Sequence, residues 1–205
     1  MSFEWNAHRF SGGALVLDLV NTVIYRDDPE RSVDRFADRQ EVARFAEAAA
    51  GFRRAELGET SLVASAGAKV VQRTLELREA ANELFRASVR VNGAGAGQLA
   101  RFLQVGTAAL EALPAGSRPL RLRGAECPAL LPLDTAAFLS GLRLLEPDRL
   151  ARIRICPNCH WLYLDASRNR SRRWCDMKVC GNRHKARRHY HRVREEGRDA
   201  ADTGI

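Results

Sequence analysis

Cys156-Pro-Asn-Cys159 and Cys175-Asp-Met-Lys-Val-Cys180, separated by fifteen residues, hold four of the five cysteines in this 205-residue chain. A two-residue spacer turns both thiolates of a pair toward one point, and two pairs complete a tetrahedral S4 shell with metal–sulfur bonds of about 2.3 Å. The fifteen-residue separation falls in the range of zinc ribbons and related sites, and the four-residue second spacer is a less usual variant. Four thiolates select zinc over magnesium or calcium and leave no open position for catalysis. Two disulfides are disfavoured by the odd cysteine count and a reducing compartment. An iron–sulfur cluster usually has other spacings and an apolar surround. A redox dithiol of Cys156 and Cys159 alone would leave Cys175 and Cys180 without a role. One structural Zn2+ on Cys156, Cys159, Cys175 and Cys180 is therefore expected. His160 neighbours a ligand and is expected to point away, and Cys127, beside Pro128, reads as a buried free thiol.

Outward from the cysteines, Trp161-Leu-Tyr-Leu164 has strand character and is expected to leave the first knuckle as one arm of a hairpin. Asp165-Ala-Ser-Arg-Asn-Arg-Ser171 is its polar tip, and Arg172-Arg173-Trp174 leads back. Trp161 and Trp174 flank the knuckles as the small core of the module. After Cys180 no breaker follows Gly181, so a helix of about three turns is expected. Ala186, Tyr190 and Val193 are spaced to face the knuckle, while His184, His189 and His191 read as surface residues of a basic helix.

Charge is concentrated here. The chain carries +8 overall, and residues 152–194 hold thirteen Lys/Arg against only Asp165 and Asp176. Residues 1–151 are balanced, and residues 195–205 are acidic and expected to form a disordered tail. Such a block attracts polyanions through phosphate contacts and counterion release. The expected nucleic-acid contacts are Arg168, Arg170, Arg172 and Arg173 in the loop, with Arg183, Lys185, Arg187, Arg188 and Arg192 on the helix.

The rest of the chain is helical in texture. Residues 14–24 are an apolar run broken by Asp18 and Asn21, a buried helix by length and a strand by its β-branched residues. Asp27-Asp28-Pro29 stops it. A helix is expected from Asp34 to Ala50, with Phe36, Val42, Phe45 and Ala49 on one face and Gly51 as its cap. The longest is expected from Ser61 to Val91, with Val71, Leu77, Leu84 and Phe85 inside and Arg78 among the charges outside. The glycines up to Gly97 connect it to a helix from Gln98 to Leu113; without a following Lys-Ser/Thr they form no phosphate loop. Leu120–Arg123 and Leu130–Leu133 read as short strands paired in a ribbon, and Asp134 as the cap of the next helix. Pro147-Asp148 ends that helix or opens a further turn, and Arg152–Ile155 alternates. The fold class is mainly α, α+β overall: a helical domain with a short β ribbon over residues 1–150, then a small treble-clef or ribbon-like zinc module over 151–194 ending in a helix.

With 45% hydrophobic and 28% charged residues the composition is globular,. No apolar stretch approaches the ~18 residues of a membrane span, and Met1-Ser-Phe-Glu-Trp-Asn6 lacks a secretory pattern; a cytoplasmic protein without membrane contact is expected. HExxH, a nucleophile elbow and an open metal site are all missing, so an enzyme is not expected.

Cys175-x4-Cys180-Gly-Asn-Arg183 is specific. With Ser167-Arg-Asn-x-Ser-Arg-Arg-Trp-Cys175 before it and Lys185-Ala-Arg-Arg188 after it, the segment strongly resembles the CGNR zinc finger family. Gly13-Ala-Leu-Val-Leu-Asp-Leu-Val-Asn-Thr22 resembles the opening motif of the ABATE domain that precedes that finger. The resemblance covers nearly the whole chain, although the helical middle matches only in texture. Such proteins are bacterial and described as stress-induced transcriptional regulators, which implies binding to double-stranded DNA, with the four cysteines in the metal positions. Regulators of this kind are usually symmetric dimers, so a homodimer is open to this chain. Asp18, Asn21 and Thr22 lie on the ABATE motif. They either line the pocket of an unknown small-molecule effector or bond local backbone and fix the packing of the first helix. An RNA-binding or ribosome-associated protein is the alternative, with Trp161, Tyr163, Trp174 and Tyr190 stacking unpaired bases.

Overall fold

Leu15–Val20 is apolar on every side except Asp18, and a helix of that kind is stable only when surrounded. In the computed structural model, which describes residues 3–64, 67–91, 93–114 and 130–202, it forms α1 at the centre of the core, with all six residues buried. The run then changes to strand: β1 (Val23–Ile24) pairs antiparallel with β2 (Val33–Asp34). A 3-10 turn (Arg35–Ala37), α2 (Gln40–Phe52), α3 (Arg54–Leu57) and β3 (Ser61–Val63) follow. Next come α4 (Ala68–Val91), α5 (Ala96–Glu111), β4 (Leu130–Pro132), α6 (Leu133–Leu144) and α7 (Pro147–Leu150). The chain continues through β5 (Ile153–Ile155), β6 (Leu162–Leu164), a π turn (Met177–Gly181) and α8 (Asn182–Asp202).

One apolar core joins α1, α2, α4, α5 and α6, and Ile153 of β5 and Leu162 of β6 belong to it. Mainly α with short strands, the architecture is that expected from sequence. Several element boundaries differ. Gly51 lies inside α2, and the positive φ comes later, at Gly58 after α3. The longest helix begins at Ala68, because Ser61–Val63 runs parallel to β4 and Leu62 buries its side chain opposite Leu131. The partner of Leu130–Pro132 is thus β3, while Leu120–Arg123 and Cys127 lie outside the described residues. Asp134 sits in the first turn of α6, where it accepts from Thr135 N–H at 2.9 Å and from Arg73 Nε at 2.9 Å.

Arg78 is also placed differently from its expected position on the outside of α4. Its guanidinium is buried and forks onto Asp34 with two bonds of 2.7 Å, and it bonds Glu79 at 2.7 Å. Arg26 reaches the same Glu79 at 2.6 Å. Burial alone would raise the Asp34 carboxyl, but the Arg78 bonds and charge hold it below the usual carboxylate range,. The β1–β2 hairpin is clamped to α4 through these charges. No helix among the described residues is long and apolar enough to cross a membrane.

A four-cysteine metal centre and its basic surround

The first knuckle closes on backbone. Cys156 N–H donates to Trp161 O at 2.8 Å and His160 N–H to Cys156 O at 2.9 Å. This fold-back requires a positive φ at His160, 61°, a conformation costing a non-glycine residue about 1–2 kcal/mol. Neighbours hold it: Arg86 of α4 donates to His160 O at 2.8 Å, and the His160 ring meets Asp27 at 3.0 Å. His160 points away from the metal position, as expected of a residue beside a ligand. The second pair is shaped by Asp176, whose side chain accepts from Lys178 N–H at 2.8 Å, while its carbonyl accepts from Cys180 and Gly181 across the π turn.

The four sulfurs lie within 4.8 Å of one another, all buried. Cys159 Sγ is 3.4 Å from Cys175 Sγ, and Cys175 Sγ is 3.6 Å from Cys180 Sγ. Bonds of about 2.3 Å to a tetrahedral zinc require sulfur–sulfur edges of about 3.8 Å, so the donor set fits the ion, and none of the four is in a disulfide. Without a cation so many thiols cannot all ionise: bonds from Cys156 and its neighbours push Cys159 and Cys175 well above the usual thiol range. A divalent ion removes that conflict, and Asn158 Nδ2 adds a bond of 3.4 Å to Cys180 Sγ,. The centre holds one structural zinc ion.

Trp161 and Tyr163 bury themselves against the cysteines, with Trp174 packed alongside, as expected of a module with a tiny core. β6, however, pairs with β5, the strand before the knuckle (Ile153↔Leu164, Ile155↔Leu162), and not with the return segment. α8 is 21 residues long, far beyond three turns, and includes residues up to Asp202 that read as a tail. Residues 182–190 are exposed all round. Ala186 and Tyr190 therefore do not cover the knuckle, because Trp161, Tyr163 and Trp174 already do; the Val193 side chain lies outside the described ones.

Of the basic residues singled out, Arg168, Arg170, Arg173, Arg183, Lys185, Arg187, Arg188 and Arg192 are exposed. Lys185, Arg188, His189 and Arg192 line one open groove of about 410 Å³. Arg172 is different. Its guanidinium donates to Trp174 O at 2.9 Å, Ser11 O at 3.2 Å and Cys175 O, and lies 5.0 Å over the Tyr163 ring. It holds the loop to the knuckle and to the N-terminal segment. Asp165 completes the loop by accepting from Ser167 N–H at 2.9 Å and Arg172 N–H at 3.1 Å.

Asp18, Asn21 and Thr22 are all buried and bonded to protein. Asp18 accepts from Gly12 N–H at 2.9 Å and from Arg53 Nε. Burial pushes its carboxyl up to about 6, against the pull of Arg53. Asn21 makes two bonds to Leu162, donating to its carbonyl at 2.8 Å and accepting from its N–H at 2.9 Å. Thr22 donates to Leu19 O at 2.8 Å and accepts from Arg78 at 3.2 Å. Glu56 accepts from Leu15 N–H at 2.8 Å, and Ser140 accepts from Val16 N–H at 3.2 Å, so the start of α1 is capped from distant elements.

Sequence reasoning overlooked two cations beside this surface, Arg9 and Arg35. They stand in a charge-balanced region, where a count by segment hides them.

Two sequence models of known families match the chain. The ABATE model, described as "Putative stress-induced transcription regulator", matches residues 13–152, and the CGNR zinc finger model matches residues 152–193. No curated protein matches.

Proposed function

This chain belongs to the ABATE family and carries a CGNR zinc finger after that domain, and from this premise we propose that it is a DNA-binding, stress-responsive transcriptional regulator. One observation carries the proposal: a 21-residue helix, exposed around its first nine residues and rich in cations, projects from a zinc-anchored knuckle. Such a helix spans about 30 Å, and a helix exposed over its first nine residues buries little of the apolar stripe that stabilises helices in globular proteins. A major groove supplies that missing partner, with phosphates for Lys185, Arg187, Arg188 and Arg192 and base edges for residues on the inserted face. Arg168, Arg170 and Arg173 lie exposed on the loop of the finger and are assigned to the backbone, and Arg183 joins them. Arg172 contributes by position. Zinc supplies folding energy and no chemistry.

Residues 151–194 are on this reading the binding module, and residues 1–150 the part that senses or dimerises. Asp18, Asn21 and Thr22 are each committed to protein partners, which supports packing over an effector pocket. Of the four rings that could stack on single-stranded RNA, Trp161 and Tyr163 are buried, Trp174 is half-buried and Tyr190 alone is exposed. This favours duplex DNA, since stacking needs exposed rings.

The test is binding of the full-length zinc protein to a labelled random-sequence duplex across a salt series. A steep log–log slope is expected, and Arg187→Ala with Arg188→Ala should weaken binding to every sequence and shrink the slope by about 0.9 per phosphate lost. Preference for structured RNA in competition, or an unchanged slope, would refute the proposal.

A further inference from the structure

The N-terminal segment is docked on the finger. His8 Nδ1 lies 2.8 Å from Asp176 Oδ2, and the His8 ring stacks on Trp161 with centroids 5.2 Å apart. Asp176 caps the π turn that leads into α8, so Arg9, the next residue after His8, is carried to the start of that helix. The guanidinium carbons of Arg9 and Arg35 lie 5.0 Å and 4.0 Å from the centroid of the same Phe3 ring. The two charges are therefore no more than about 9 Å apart. Burial, then Arg35, then Arg183 hold the Arg9 guanidinium below its usual range, which brings the third cation into the same field.

Among the described residues neither Arg9 nor Arg35 has a carboxylate at ion-pair distance, and the Nε of each is buried without a hydrogen-bond partner. The nearby acids are committed elsewhere. Glu41 accepts from Trp5 at 2.7 Å and pairs with Arg44 at 2.7 Å, Asp34 is forked by Arg78, and Asp176 is held by His8. Glu41 lies close enough to act on Arg35 but is paired elsewhere. Gathering cations in a half-buried place without a paired anion is unfavourable, and a bound anion reverses the sign. Guanidinium forks match phosphate oxygens in shape and charge. Arg183 begins the row of cations that continues along α8, so the anion that suits the cluster is one unit of a regularly charged polymer.

We propose that Arg9 and Arg35, with Arg183 of α8, hold one backbone phosphate of duplex DNA, so that the binding face continues from the finger onto the N-terminal part of the chain. This rests on the DNA-binding function proposed above. It also gives the N-terminal part a direct way to alter affinity, since any shift of the Ala7–Phe10 turn on the finger moves Arg9 relative to Arg183.

The experiment uses the full-length zinc protein and a labelled 24-base-pair duplex in a salt series. Arg9→Ala with Arg35→Ala should weaken binding about tenfold or more and reduce the log–log slope by about one. Arg9→Lys with Arg35→Lys should restore the slope, because the slope counts charge. Wild-type affinity and slope in the Ala variant, alongside the expected loss in Arg187→Ala/Arg188→Ala, overturn this inference alone. No binding of wild-type protein to the duplex overturns the DNA-binding function and this inference together. Should the Ala variant lose zinc or helicity, arginine labelling by phenylglyoxal on the wild-type protein decides. Protection of Arg9 and Arg35 by the duplex supports the site, and equal labelling with and without it overturns the site.

Discussion

Asn21 does with its carboxamide what a neighbouring strand does with its backbone: it donates to and accepts from Leu162, 141 positions away. Both Leu162 groups are buried, so truncation leaves two orphans. Asn21→Ala should cost about 2–6 kcal/mol, at about 1–3 kcal/mol for each buried group left unpaired, read as a lower denaturant midpoint at unchanged zinc content. A midpoint within experimental scatter of wild type would show that water replaces the amide. Asn21 was conspicuous in the sequence as a polar residue inside an apolar run. Its partner was not, because contact between residues so far apart depends on how every intervening element packs. The same holds for His160: its place beside a ligand was legible, and its left-handed backbone, steadied by Arg86 and Asp27, was not.

Between elements, the crossing of α5 and α6 depends on two glycines and two rings. A Cβ on Gly106 would overlap the Phe138 ring, and a Cβ on Gly141 would overlap the ring of Phe102. Both rings are buried and face one another at 5.3 Å, so neither can swing aside. Ala favours a helix over Gly by about 1 kcal/mol, yet overpacking a core costs about 1–3 kcal/mol or more. Gly106→Ala should therefore lower the thermal midpoint, and a rise would mean that α5 and α6 separate freely. Periodicity found α4, α5 and α6 because their apolar stripes repeat along one chain. It misplaced the start of α4 because Ser61–Val63 forms a strand only when β4 is beside it, and it placed Arg78 outside because the Asp34 that pairs with it comes from another element.

At the scale of the whole molecule, the finger and the helical part share a core through Ile153 and Leu162, and are tied by Asn21, by Gly12 O accepting from Leu164 N–H at 2.7 Å, and by Arg172. Metal removal should not unfold residues 152–194 uniformly. Structural zinc contributes about 10–16 kcal/mol in comparable fingers, and its loss should release the knuckles and α8, whose first nine residues are exposed and reach the knuckle through the His184 ring on Trp174. In proteins most helical stability comes from tertiary packing and not from intrinsic propensity. In hydrogen exchange after chelation, amides of residues 156–160 and 175–190 should lose protection, while those of Leu162 and Leu164 remain slow. Simultaneous loss of protection at Leu162 would show that the metal also supports the shared core.

What the sequence determined by itself is what depends on short spacing and local charge: the four ligands, the metal they select, the basic block, the helices of the core and the family. Those follow because a knuckle, a stripe or a charge run is set by residues a few positions apart. Tertiary structure alone decided which cations are bound into the fold, as Arg172 is, and which stay exposed. It also brought Arg9 and Arg35 toward Arg183, and it made the finger continuous with the helical core. Those outcomes depend on packing between elements distant in the chain, where a hydrogen bond or a ring contact has no signature in the order of the residues.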